Sequence, residues 1–307
     1  MSTADQLPTQ PPFTGMALDR ASTARKDPDW VRERLEDPGS RAVTATHEGV
    51  LVADGEPPAL LRARVAPDDV DEPVLLGLGE DGDALFALDL ESVPAAERAA
   101  ATGGAEVVAL REAGAVLSPA EAGLAAYVVA LLNWHRRHRF CANCGAETAV
   151  AEAGYSRRCP RCGAHHFPRT DPCVIMTVEH DGRLLLGRRA GWPAGRLSVL
   201  AGFVSPGESA EEAVVREVAE ESGIAVRDPV FVASQPWPFP ASLMLGFHAV
   251  SDGGEPRVVD DELAEVRWVD LADVRGAING DDEASFALPP SVSIARFLIE
   301  RWAAGLS

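Results

Sequence analysis

A chain of 307 residues, 46% hydrophobic and 24% charged, has the composition of a soluble globular protein and the length for two domains or one large one. Its formal net charge of -19 argues against broad binding to nucleic acid or anionic membrane, though not against an anionic substrate held through metal ions. No apolar run is long enough for a membrane span, and MSTADQLPTQPPFTGMALDR at the N-terminus has no apolar signal-peptide core, so the expected location is the cytoplasm.

In chain order, the opening Pro-, Thr- and Ser-rich stretch reads as poorly ordered. Between Arg41 and Leu110 lie short apolar runs, GVLVA, PVLLGLG and ALFALDL, punctuated by Gly, Asp and Pro. They read as strands and turns, with a short helix over SVPAAERAAATGG. No catalytic motif is visible there. Ser118-Pro119-Ala120-Glu121 has capping-box spacing with proline at the first helical position. The helix it opens carries Leu124, Tyr127, Val128, Leu131 and Leu132 on one face. It ends in NWHRRHRF, a basic run expected to be a solvated helix end, with a phosphate contact as the sharper alternative.

Next, Cys141-x2-Cys144 is followed after fourteen residues by Cys159-x2-Cys162. Two CxxC pairs at this separation match a four-thiolate zinc site, one structural ion per chain. Glycine follows each pair and suits a turn that aims backbone amides at sulfur. Two disulfides are the alternative, disfavoured in a cytosolic chain. Four thiolates leave no open position for catalysis, and His165 and His166 read as surface residues. Cys173 reads as a small buried strand residue.

After the cysteines the pattern becomes βαβ-like. CVIMTVEHDGRLLLGRRA reads as a hairpin around Asp181-Gly182, and LSVLAGFV as a further strand. Ser209 and Glu212 repeat the capping-box spacing and Gly223 suits a helix end. On that helix Glu217 and Glu221 share a face, with Glu220 beside them, while Val214 and Val218 can pack inward. Arg216 is within reach of Glu212 and Glu220. Six glutamates fall between Glu208 and Glu221. Such crowding either makes a solvated acidic face or holds hard divalent cations, which take oxygen ligands and bridge to phosphates.

The spacing Gly202-x5-Glu208-x7-Arg216-Glu217-Val218-x-Glu220-Glu221-x-Gly223-Ile224 resembles the Nudix box at every fixed position. Downstream, SQPWPFPAS (Ser234 to Ser242) is similar to the motif of the NADH pyrophosphatase branch of that family. Three prolines stiffen this loop, and Trp237 and Phe239 offer flat faces for a base, although such a loop could equally plug a core. The resemblance implies an α+β chain. Residues 1–138 would form an N-terminal Nudix-like α/β domain ending in a linker helix, 139–168 a four-cysteine zinc ribbon, and 169–307 a Nudix α/β/α sandwich with a mixed sheet.

The resemblance also implies roles. Glu217, Glu221, Glu262 and the backbone carbonyl of Ala201 would bind Mg2+ or Mn2+, with Glu220 assisting. Glu208 and Arg216 would pair to fix the loop. Gln235, Pro236, Trp237, Pro238, Phe239, Pro240, Ala241 and Ser242, together with Phe167, Phe203 and Ala295, would contact substrate. Two positions depart from some members: Gly154 stands where they have glutamate, and Phe167 where they have tyrosine. The implied reaction is hydrolysis of the pyrophosphate of NAD(H) to NMN(H) and AMP, with Glu221 as proton acceptor, and by the same chemistry removal of NAD caps from RNA 5′ ends. A homodimer is implied as well. The alternatives are a Nudix hydrolase of ADP-ribose or a diadenosine polyphosphate, or a non-enzymatic zinc-ribbon nucleotide sensor.

Overall fold

The structure, a computed structural model, describes residues 7–47, 49–53, 55–64, 72–93, 98, 102, 105–259 and 261–306. It divides into two compact units. One comprises the described parts of residues 13–170 together with 238–241; the other comprises residues 7–12, 171–237 and 242–306. The ribbon segment expected over 139–168 therefore lies inside the same unit as the N-terminal strands. The tip of the Pro-rich loop belongs to that unit too.

In the N-terminal unit, helix α1 (Pro28–Glu36) precedes strands β1 (Arg41–Ala45), β2 (Gly49–Ala53), β3 (Ala59–Leu60), β4 (Arg62–Arg64), β5 (Val74–Leu78), β6 (Ala84–Asp89) and β7 (Val107–Ala109). Among the described residues the sheet runs β3-β2-β1-β6-β5, with β4 beside β1 and β7 beside β2. β1 and β6 pair in parallel. Val31 and Leu35 of α1 cover Leu75 and Phe86. The segment expected to be helical over SVPAAERAAATGG lies largely outside the described residues.

The opening stretch is better anchored than its composition suggested. Phe13 is buried, and Asp19 exchanges both backbone hydrogen bonds with Leu78. Apolar burial and ladder bonds outweigh the Pro-rich composition here.

Helices α2 (Leu110–Val116) and α3 (Pro119–Arg137) follow. Ser118 caps α3 by accepting from the Glu121 amide, but the box is only half formed. The Glu121 carboxylate instead accepts from the Leu60 amide and pairs with Arg62. The basic end of α3 is solvated in part. His135 is buried, and burial pushes its imidazole down to about 4. Arg136 pairs with Asp89 and Arg139 with Glu147. Asp89 lies 47 residues from Arg136, beyond the reach of helical periodicity, whereas Glu147 is close in sequence and its pair with Arg139 stays exposed.

β8 (Ala149–Ala151), β9 (Ser156–Arg158) and β10 (His165–His166) form a small antiparallel ribbon. Gly154, in the turn between β8 and β9, has φ +91, and a Cβ there would lie 2.8 Å from Val74 Cγ1. The space is closed to any side chain, which accounts physically for the glycine.

The second unit is built on β11 (Asp171–His180), β12 (Arg183–Arg189), β13 (Leu200–Phe203), β14 (Val226–Trp237), β15 (Ser242–Ser251) and β16 (Leu263–Asp270). The order is β14-β15-β11-β12-β16, with β13 on β11. β11 pairs in parallel with β15, while its other pairings are antiparallel. The β11–β12 hairpin turns at Asp181-Gly182 with both φ positive, as the dipeptide predicts.

Alternate residues of β11 serve two separate cores. Val174, Met176 and Val178 pack with Ala213, Val214 and Val218 of helix α4 (Ala210–Ser222). Cys173 and Ile175 pack with Val274 of α5 (Leu271–Asn279) and with Ile294, Phe297 and Leu298 of α6 (Ile294–Ala303). Helices thus cover both faces of a mixed sheet, the layered arrangement expected over residues 169–307.

Candidate active site

The acidic helix sits where two elements converge. β13 delivers Ala201, Gly202 and Phe203 opposite Ile175, Val174 and Cys173 of β11, and a turn leads directly into α4. Ser209 and Glu212 form the complete capping box, and Gly223 closes the helix at φ 69. Glu212 is spent on that cap, so it is not a partner of Arg216 as its spacing allowed.

Arg216 is the hub of the cluster. Its Nε and Nη2 donate to both carboxylate oxygens of Glu208 at 2.7 and 2.8 Å. Nη1 donates to Glu217 at 2.8 Å and to Glu220 at 2.9 Å. Nη2 also reaches the Phe203 carbonyl at 2.9 Å. The Ser205 amide donates to Glu208 at 2.9 Å. One guanidinium thereby ties the loop after β13 to the helix in a fixed bidentate geometry. The Arg216 hydrogen bonds hold the Glu208 carboxyl down at about 2, and the same contacts raise the Arg216 guanidinium further above its usual range.

Glu217 behaves in the opposite sense. Burial pushes its carboxyl up, and the like charges of Glu220 and Glu262 add to the shift, against the pull of Arg216. Glu262 therefore belongs to the same field as the helix carboxylates. Glu221 is 2% exposed, unusual for an acidic side chain. Gly202 makes room for the group: a Cβ on it would fall 1.8 Å from Glu217 Cδ.

Glu217, Glu221, Glu262 and the Ala201 carbonyl are all hard oxygen donors, and the Gly202 cradle keeps the Glu217 carboxylate over the strand. Oxygen donors of this kind suit a hard divalent cation. Arg189, which sequence reasoning missed, also reaches this place. Its Nη2 lies 3.4 Å from the Ala201 carbonyl and 3.4 Å from Glu262. Only the tertiary pairing of β12 with β16 could have shown that.

The remaining candidates divide sharply. Phe203 is 58% exposed. Gln235 is fully buried: its Nε2 donates to the Val292 and Pro12 carbonyls, and its Oε1 accepts from the Ile294 amide. Ala295 is buried in the α6 core. Trp237 is half-buried and packs against that core. Pro236 and Pro240 are exposed, Pro238 is buried, and Ala241 and Ser242 are half-buried. Phe239 packs against Phe13 with ring centroids 6.4 Å apart, and the Arg111 guanidinium lies 4.1 Å from its ring centre. The two rings expected to stack on a base are thus engaged within the protein itself. Stiff Pro-aromatic loops serve either purpose, and sequence alone does not separate them.

In the N-terminal unit Phe167 is 64% exposed and stacks on His165. The four sulfurs of Cys141, Cys144, Cys159 and Cys162 lie within 4.8 Å of one another. Cys141–Cys162 and Cys144–Cys159 are 3.6 and 3.5 Å apart, too long for disulfides and close to the ~3.8 Å edge of a tetrahedron with 2.3 Å zinc–sulfur bonds. Each pair folds into the same turn, with the Gly145 and Gly163 amides donating to the Cys141 and Cys159 carbonyls. The Cys162 and Arg161 amides hold the Cys159 thiol below its ordinary range. The donors fit zinc. Cys144→Ser is expected to abolish stoichiometric zinc and to lower the melting temperature by on the order of 10 °C. Elemental analysis and a thermal melt check this; wild-type protein purified without chelator and free of zinc would overturn it.

The chain matches three family models in succession: an NADH pyrophosphatase-like rudimentary NUDIX domain over residues 39–134, an NADH pyrophosphatase zinc ribbon domain over 136–167, and a NUDIX domain over 168–288. It is 41% identical over 310 aligned residues to the NAD-capped RNA hydrolase NudC of Mycobacterium bovis (strain BCG / Pasteur 1173P2), covering 97% of this chain and 96% of that protein. It is 43% identical over 196 residues to the NAD-capped RNA hydrolase NUDT12 of Homo sapiens, covering 61% of this chain and 42% of that protein. A NUDIX hydrolase crystal structure from Nitrosomonas europaea aligns with TM-score 0.43 and 21% identity, over 54% of this chain and 90% of that one.

Proposed function

We propose, for a chain that belongs to the Nudix hydrolase family and to its NADH pyrophosphatase branch, that it hydrolyses the pyrophosphate of NAD(H) to NMN(H) and AMP, and removes NAD caps from RNA 5′ ends. The observation that carries this reading is the Arg216 clamp, which gathers Glu208, Glu217 and Glu220 beside the Gly202 cradle.

The chemistry follows from that arrangement. Water attacks one phosphorus of the pyrophosphate, the bridging P–O bond breaks, and the leaving phosphate departs on the other nucleotide. We assign the water's proton to Glu221, the carboxylate set deepest in the cluster. Glu217, Glu221, Glu262 and the Ala201 carbonyl are the residues that would hold Mg2+ or Mn2+, which when bound neutralises phosphate charge and lowers the pKa of a coordinated water. Glu208 and Arg216 keep the helix and loop in register during the displacement. Among the proposed substrate contacts, Phe203 has the exposed ring next to this cluster and offers a stacking face. Phe167 offers another in the N-terminal unit. Gln235, Pro236, Trp237, Pro238, Phe239, Pro240, Ala241, Ser242 and Ala295 are proposed as substrate contacts on the similarity of SQPWPFPAS to the motif of this branch.

No helix among the described residues is long and apolar enough to cross a membrane. A homodimer is supported by the exposed Val230 and Phe231 on the edge strand β14.

Incubation with NADH and Mg2+ is expected to release AMP and NMNH in equal amounts, with NADH preferred over ADP-ribose and diadenosine polyphosphates. A higher kcat/KM for ADP-ribose would overturn the assignment.

A further inference from the structure

β12 ends in two arginines that take different directions. Arg188 lies opposite Glu265, but a bulge follows, and Arg189 lies opposite Leu263. Bulges beside active sites commonly re-aim a side chain. Here the bulge sends Arg189 over β13, where one nitrogen, Nη2, is 3.4 Å from both the Ala201 carbonyl oxygen and Glu262 Oε2. The charge of Arg189 also acts at Cys173, against those of Glu217 and Glu221, so it shares the field of the buried carboxylates.

We infer that Arg189 is a tethered competitor of the divalent cation, bonded to the Ala201 carbonyl and Glu262 and yielding both when the metal binds. This rests on the reading of those two groups as metal donors. The carbonyl and the carboxylate each have more than one lone pair, so the competition is one of charge: a guanidinium 3.4 Å from the same two oxygens repels a divalent cation that approaches them. The side chains of Arg189 and Glu262 are 48% and 63% exposed, so their pairing is weak enough to be displaced. The double charge of the metal wins at the carboxylate, and the long arginine stem lets the guanidinium swing out toward solvent. Competition of this kind sets a threshold: the site fills only once the free cation is concentrated enough to displace the tethered guanidinium.

The test uses the full-length protein without substrate and reads Mn2+ binding by calorimetry, in wild type, Arg189→Gln and Glu262→Gln. The expected result is that Arg189→Gln binds Mn2+ about two- to fivefold more tightly, the range an exposed ion pair provides, while Glu262→Gln binds it more weakly. A thermal melt confirms that both variants are folded. Unchanged or weakened binding in Arg189→Gln, with Glu262→Gln still weakened, overturns the competitor role and leaves the metal site standing. Unchanged binding in Glu262→Gln removes Glu262 from the metal site, and the inference falls with it.

Discussion

Glu217→Gln and Glu221→Gln should each lower kcat by about 10³-fold or more, while Glu211→Gln stays within about twofold of wild type. The three residues share one helix and one chemistry, so the contrast isolates position. Glu211 is exposed in the first helical turn. Glu217 is part-buried within reach of Arg216, and Glu221 is buried. Glutamine keeps the shape of each side chain and can still accept a hydrogen bond from Arg216. What it removes is a charge that burial already disfavours at Glu217, so the melting temperature of Glu217→Gln without added metal should not fall. A divalent cation loses a hard anionic ligand, and with it the polarisation that an uncharged amide cannot supply. Added Mg2+ should therefore raise the melting temperature of wild type more than that of Glu217→Gln, by ligand linkage. Equal losses at Glu211 and Glu221, or full wild-type activity after exhaustive chelation, would mean that the carboxylates do not hold a catalytic metal.

Much of this site is legible in the sequence because it is local. Ser209, Glu212 and Gly223 bound α4 through contacts no longer than one helical turn, and the register of Glu217 and Glu221 follows from the helical period. The zinc turns are local for the same reason, each closing within its own CxxCG segment. Legibility ends where partners come from far along the chain. Gln235 stands in a motif that suggests substrate contact, yet its amide is bonded to Pro12, Val292 and Ile294. A buried amide with three such bonds positions the start of α6: both of its N–H groups are used, and only one oxygen lone pair remains. Phe239 is similar: its partners Phe13 and Arg111 are more than a hundred residues away. At the basic end of α3, Arg137 and Arg139 are exposed as a solvated helix end requires, and only Arg136 has a long-range partner, Asp89 of β6. Arg189 is invisible to periodicity because a bulge sets its direction.

The box glycine supplies the second large effect. Gly202→Ala should leave the fold intact and lower kcat by about 10²- to 10³-fold, approaching the loss in Glu217→Gln. An added Cβ would lie 1.8 Å from Cδ and 2.1 Å from each oxygen of Glu217. Gly202 is paired in β13 opposite Val174, and its φ lies outside the left-handed region, so alanine fits the strand without backbone strain. The chain therefore has no reason to unfold; the loss of glycine entropy in the unfolded state could even add about 0.4–1 kcal/mol of stability. The conflict is resolved at the flexible end of the Glu217 side chain, which must leave its place by the strand. It then loses the Arg216 hydrogen bond and the position from which it would bind metal. Because both substitutions act through one carboxylate, their effects should not add: Gly202→Ala combined with Glu217→Gln should be nearly as active as the worse single variant. Independent, multiplying losses in that double variant would show that Gly202 serves something other than the seat of Glu217.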